Sequence, residues 1–78
     1  MVSTTLPMLD WQPVESSWIV AEAYDEAAES IYVRFADGGE WCYEACPLDV
    51  WQAFTAPGQS RGQYLNRVLK YKPGHRVA

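Results

Sequence analysis

The clearest pattern along the chain is a strict alternation. Ile31, Val33 and Phe35 interleave with Ser30, Tyr32 and Arg34, the period of two that sets one side of a strand against a core and the other toward water. Asp37-Gly38-Gly39 follows, residues that turn a chain back on itself. The length of that turn decides which side chains share a face, because a slip of one residue moves them all. A two-residue turn sets Trp41 and Tyr43 beside Arg34. A three-residue turn, with Gly39 in a left-handed bulge position, sets Trp41 beside Phe35 and Tyr43 beside Val33. Only the second builds a continuous apolar face, and it is the one expected. The opposite face then carries Tyr32, Arg34, Glu40, Cys42 and Glu44.

Upstream, Ser16 to Tyr24 (SSWIVAEAY) reads as an earlier strand closed by Asp25-Glu26. Its inward face is open between Ile19, Ala21 and Ala23 on one side and Trp18, Val20 and Tyr24 on the other, where Glu22 sits awkwardly. Downstream, Pro47 suits the first turn of a helix and Asp49 complements its dipole. Val50, Trp51 and Phe54 then form one apolar stripe, and Pro57-Gly58 ends the element. Ser60-Arg61-Gly62-Gln63 has the form of a capping box opening a second helix to about Lys70, with Tyr64, Leu65, Val68 and Leu69 buried. Strands ahead of helices predict an α+β domain: a small three-stranded antiparallel β-meander followed by two helices packed on one face. Residues 1–13 read as a flexible leader whose Leu9 and Trp11 lie against a single domain over 14–78, with a basic tail from Tyr71.

Composition adds limits. Seventy-eight residues make one small domain that buries about 60–65% of its unfolded surface, so the core must be dense in large side chains. Four Trp, five Tyr and two Phe supply that density. There is no apolar run of membrane-spanning length and no basic-then-apolar leader, so a cytoplasmic protein is expected, with no membrane partner. Cys42 and Cys46 are too few for a disulfide framework and read as buried free thiols. With His75 they fall short of a metal-ligand set, and no cofactor is expected. No nucleophile lies near a base and no phosphate-loop motif is present, so an enzyme is not expected.

The net charge of −4 hides a segregation. All ten acidic residues lie between Asp10 and Asp49, whereas Arg61, Arg67, Lys70, Lys72 and Arg76 face no acidic residue after Val50. Such segregation marks either a docking surface for an anion or two halves that neutralise one another inside the fold.

These residues, in this order, resemble the KTSC domain, a short family found as stand-alone proteins and at the C-terminus of some lysyl-tRNA synthetases. The resemblance covers about Val14 to Val77. It runs through Ser16-Ser17 with Ile19, Tyr24-Asp25, Ile31, Val33, Phe35 and Gly38-Gly39. The family's aromatic-x-aromatic motif follows as Trp41-Cys42-Tyr43, then Pro47 with Val50 and Trp51, and finally Ser60, Gly62, Tyr64, Asn66, Val68 and Tyr71. Trp41 stands where Tyr is usual, and Glu22 where an apolar residue is expected. The resemblance implies RNA binding, an argument by association with the synthetase fusion. On this chain the candidate nucleic-acid surface comprises Arg61, Asn66, Arg67, Lys70, Tyr71, Lys72 and Arg76, basic groups for phosphates beside an aromatic for stacking. The rival is a protein-interaction module using the acidic strand face (Tyr32, Glu40, Glu44) or a sheet edge.

Overall fold

The computed structural model describes residues 9–78; residues 1–8 of the expected leader lie outside the described residues. The hairpin joins β3 (Ser30–Phe35) to β4 (Glu40–Tyr43). It turns through three residues, one position earlier than expected, so that Val33 lies opposite Trp41 and Ile31 opposite Tyr43. Gly38, not Gly39, takes the left-handed position, at φ 96°. The Asp37 carboxylate accepts the Gly39 N–H at 2.9 Å, a local side-chain bond that favours this placement of the turn. Moving the turn by one residue moves the pairing by two, so the expected faces hold although the partners change.

Five strands form the sheet, not three, in the order β1-β2-β3-β4-β5 with every neighbouring pair antiparallel. The two additions are edge strands, β1 (Gln12–Pro13) and β5 (Gly74–Arg76). All five of their residues are exposed. They are held by backbone pairing rather than burial, and so leave no hydrophobic period to read. The segment read as a basic tail is thus part of the sheet, and the Arg76 to Ala78 end continues along Glu40.

Strand β2 (Ile19–Asp25) settles its inward face by a bulge between Ile19 and Ala21. Before the bulge Ile19 lies opposite Phe35 and points to the core; after it Glu22 lies opposite Val33 and Tyr24 opposite Ile31. Neither alternating set is therefore the buried one throughout, because the extra residue switches faces part-way. Ala21 and Ala23 turn to the other side of the sheet. There Trp11 reaches across β2 to meet Tyr32 edge-on, with the Arg34 guanidinium 4.3 Å above its ring.

Two short helices cover the other face. In α1 (Leu48–Phe54) Pro47 caps the helix in extended backbone, just ahead of the first turn, and Asp49 follows within that turn. Trp51 stacks on Tyr24 at 5.2 Å and Phe54 is fully buried. In α2 (Arg61–Arg67) the Ser60 hydroxyl accepts the Gln63 N–H at 3.3 Å, the cap expected from the spacing. The α-helix stops at Arg67 because Val68 leaves helical backbone, at φ −123°, and a 3-10 turn continues over Leu69–Tyr71. The core gathers Ile19, Ile31, Val33, Tyr43, Cys46, Phe54, Leu65 and Leu69. Both cysteines are free and buried. No described helix is long and apolar enough to cross a membrane.

Candidate nucleic-acid interface

The seven residues expected to meet a nucleic acid divide into three groups. Arg61 is taken by the fold. Its Nε and Nη2 donate to the two carboxylate oxygens of Glu22 at 2.9 and 3.0 Å, the bidentate geometry that makes an arginine–carboxylate pair specific. Glu22 is only 3% exposed. Its hydrogen bonds to Arg61 hold the guanidinium pKa above its ordinary value, against the opposing effect of burial. The misplaced acid of β2 and a candidate phosphate ligand of α2 are two halves of one structural pair.

Asn66, Arg67, Lys70 and Tyr71 form the second group, and all four are exposed. The solvent face of α2 supplies Asn66 and Arg67, while the 3-10 turn supplies Lys70 and Tyr71. Leu65 and Leu69 anchor this segment, buried at spacing i and i+4, and so fix which residues point outward. Tyr71 is 75% exposed, and the Lys70 ammonium stands 5.2 Å from its ring centre. Among the described residues neither Arg67 nor Lys70 joins an ion pair.

Lys72 and Arg76 form the third group, leading into and along β5. Lys72 is half-buried and close enough to Cys46 to oppose, in part, the upward shift that burial gives that thiol. Arg76 lies opposite Trp41, rests beside Gly39 and donates from Nε to the Ala78 carbonyl at 2.9 Å. It sits against the hairpin turn instead of continuing the surface of α2.

The expected acidic strand face is neutralised at Glu40. Glu40 pairs with Arg34 at 2.7 Å and Glu44 lies 3.4 Å from His75. Tyr32 lies between Trp11 and Cys42 on that face, and burial is the first cause holding its phenol pKa above the ordinary value. Trp41 and Tyr43 share the core face, their rings stacked at 6.5 Å. No group of three potential metal ligands occurs among the described residues.

Residues 15–72 match the KTSC domain family. The chain belongs to that family. A protein of Tsukamurella paurometabola is 37% identical over 59 residues, an alignment covering 76% of this chain and 87% of the relative. The crystal structure of a KTSC domain protein from Yersinia pestis superposes with a TM-score of 0.82 at 25% identity, covering 90% of this chain and 99% of that one. Membership makes sense of two motif positions in the KTSC frame. Gly62 lies against the Trp18 ring, where an added Cβ would stand 3.0 Å from the indole. The Tyr24 hydroxyl donates to the Cys46 carbonyl at 2.7 Å, tying the end of β2 to the start of α1.

One feature escaped sequence reasoning altogether. Trp18 is 48% exposed at the edge of an open groove between residues 13–18 and 59–63. Its partner across the groove lies more than forty positions away in sequence, and no local pattern brings the two segments together.

Proposed function

We infer that this KTSC domain binds single-stranded RNA across Asn66, Arg67, Lys70 and Tyr71. The observation that carries the reading is Tyr71. An aromatic ring that is 75% exposed contributes little to a core and is available to stack on an unpaired base. Lys70 beside it and Arg67 one turn back supply phosphate contacts, and Asn66 supplies a polar group for a base edge. No acidic residue occurs in the chain beyond Asp49, so the segment that carries the patch holds no acid of its own. The overall charge of −4 opposes non-specific association, which limits binding to this surface.

The test is fluorescence anisotropy with a labelled single-stranded RNA over a range of salt. Two to three phosphate contacts give a log–log slope of about −1.4 to −2 on a single strand. Arg67→Glu with Lys70→Glu is expected to abolish binding while leaving the unfolding midpoint near that of the parent. Retained affinity in that variant would sink the assignment of the surface. If the parent protein itself shows no affinity at low salt, the reading fails, and a protein partner at the sheet edge becomes the leading alternative.

A further inference from the structure

The groove beside Trp18 lies outside the Tyr71 surface, yet the residues that define it come from two motif stretches of the sequence. Ser16 and Ser17 line one wall, and Ser60 and Gly62 line the other. The opening has a volume of about 600 Å³, within the usual range for a small-molecule site. Gly62 lets the indole of Trp18 lie directly on the first turn of α2, which fixes the ring while leaving it half exposed.

We propose that this groove holds one unpaired nucleobase, stacked on Trp18 and hydrogen-bonded by Arg61 and the flanking serines. Three observations select a neutral, planar, polar occupant. The ring of Trp18 offers a flat apolar surface for a heterocycle. Arg61 spends Nε and Nη2 on Glu22, and its Nη1 has no hydrogen-bond partner among the described residues. That nitrogen is a donor held in place by the same ion pair and suited to a base carbonyl or ring nitrogen. The charge is the third. Glu22 cancels Arg61, and Glu15 is exposed on the groove wall, so the lining carries no uncompensated cation for a free phosphate.

The choice of a base as occupant rests on the RNA reading above. Trp18 touches α2 near its start, and Tyr71 lies beyond its end, past the break at Val68. A base held in the groove would add one stacking contact to the phosphate contacts of Arg67 and Lys70.

Two measurements separate the inference from the reading it rests on. In the first, uridine, adenosine and ribose are titrated into labelled protein while the Trp18 indole N–H and the amides of Ser60 to Gln63 are followed. Shifts with the nucleosides and none with ribose are expected. Silence with both nucleosides, or equal shifts with ribose, overturns the groove as a base site even if RNA binds elsewhere. In the second, Trp18→Ala is tested against the labelled RNA. A loss of about ten-fold, typical of one stacked base, with an unchanged salt slope is expected. Trp18→Phe should restore most of it. Unaltered affinity in Trp18→Ala overturns the proposal while leaving the Arg67 and Lys70 surface standing. If the parent binds no RNA but nucleosides shift Trp18, the groove stands and the Tyr71 reading falls.

Discussion

Arg61 and Glu22 meet through two parallel hydrogen bonds, 2.9 and 3.0 Å long, across 39 positions of sequence. The pair joins the first residue of α2 to the middle of β2. It places a carboxylate on the core side of the sheet at the one point where a helix brings a cation to it. Breaking such a pair from one side leaves the other charge without its partner. Glu22→Gln is expected to lower stability by about 2–3 kcal/mol, less than for a fully enclosed pair because Arg61 keeps some solvent. Glu22→Leu combined with Arg61→Met should recover most of that loss in urea unfolding. A double variant no more stable than the worse single one would show that packing, not charge, sets the cost.

Tyr71 has no such structural partner. Tyr71→Ala is expected to change the unfolding free energy by less than about 0.5 kcal/mol, the range for exposed positions. RNA affinity should fall about five- to ten-fold, within the range for loss of one stacked base. The contrast between the two readouts is the signature of a surface ring. A large stability loss would return Tyr71 to a structural role.

Gly62→Ala weighs two effects against each other. Alanine favours a helix over glycine by about 0.8–1 kcal/mol, but its Cβ would crowd the Trp18 indole at 3.0 Å. In the parent the two should nearly cancel, and the Trp18 indole N–H signal should move as the ring is displaced. In a Trp18→Ala background the same change should stabilise by about 0.5–1 kcal/mol. Equal effects in the two backgrounds would mean that ring and helix are not coupled.

Stability should fall on the alkaline side. Burial raises the pKa of the Cys46 thiol and of the Tyr24, Tyr43 and Tyr64 phenols above their ordinary values. The folded state therefore holds these protons after the unfolded state has begun to release them. The stabilisation is complete below the unfolded values and is lost as pH rises through the folded ones. The decline should begin at about pH 8.5, where an unfolded thiol titrates, and steepen past about pH 10 with the phenols. Cys46→Ala should lower the urea midpoint at neutral pH yet flatten the first part of the decline. A parent curve level from pH 7 to 10 would contradict this.

Elements that bury a regular apolar stripe were legible from sequence, and those held by backbone alone were not. The alternation through Ile31, Val33 and Phe35 and the stripe of Val50, Trp51 and Phe54 named their elements because the core needs those spacings. The Ser60 cap was legible for the same kind of reason, a side chain meeting a fixed backbone donor. Strand β5 was hidden because Gly74, His75 and Arg76 bury nothing. The face switch in β2 was hidden because a bulge has no composition of its own. Of the candidate surface, Arg67 and Lys70 were read on the solvent side of the second helix and are exposed, whereas Tyr71, read as the start of a tail, lies in the 3-10 turn that continues α2. Arg61, read on the same side, pairs instead with Glu22, which becomes its neighbour only once the helix is docked on the sheet.

The position of β5 has a consequence for how the domain opens. β1 through β4 follow one another along the chain, each paired with its predecessor. β4 and β5 are separated by both helices, so their pairing closes a loop of some thirty residues and bears the largest ordering entropy in the sheet. With three exposed residues to hold it, β5 is expected to detach in local unfolding ahead of the central strands. Its departure would bare the hydrogen-bonding edge of Glu40 to Tyr43, which includes Trp41, to any extended chain nearby. While it stays paired, the segment from Gly74 onward covers the β4 edge that carries Trp41.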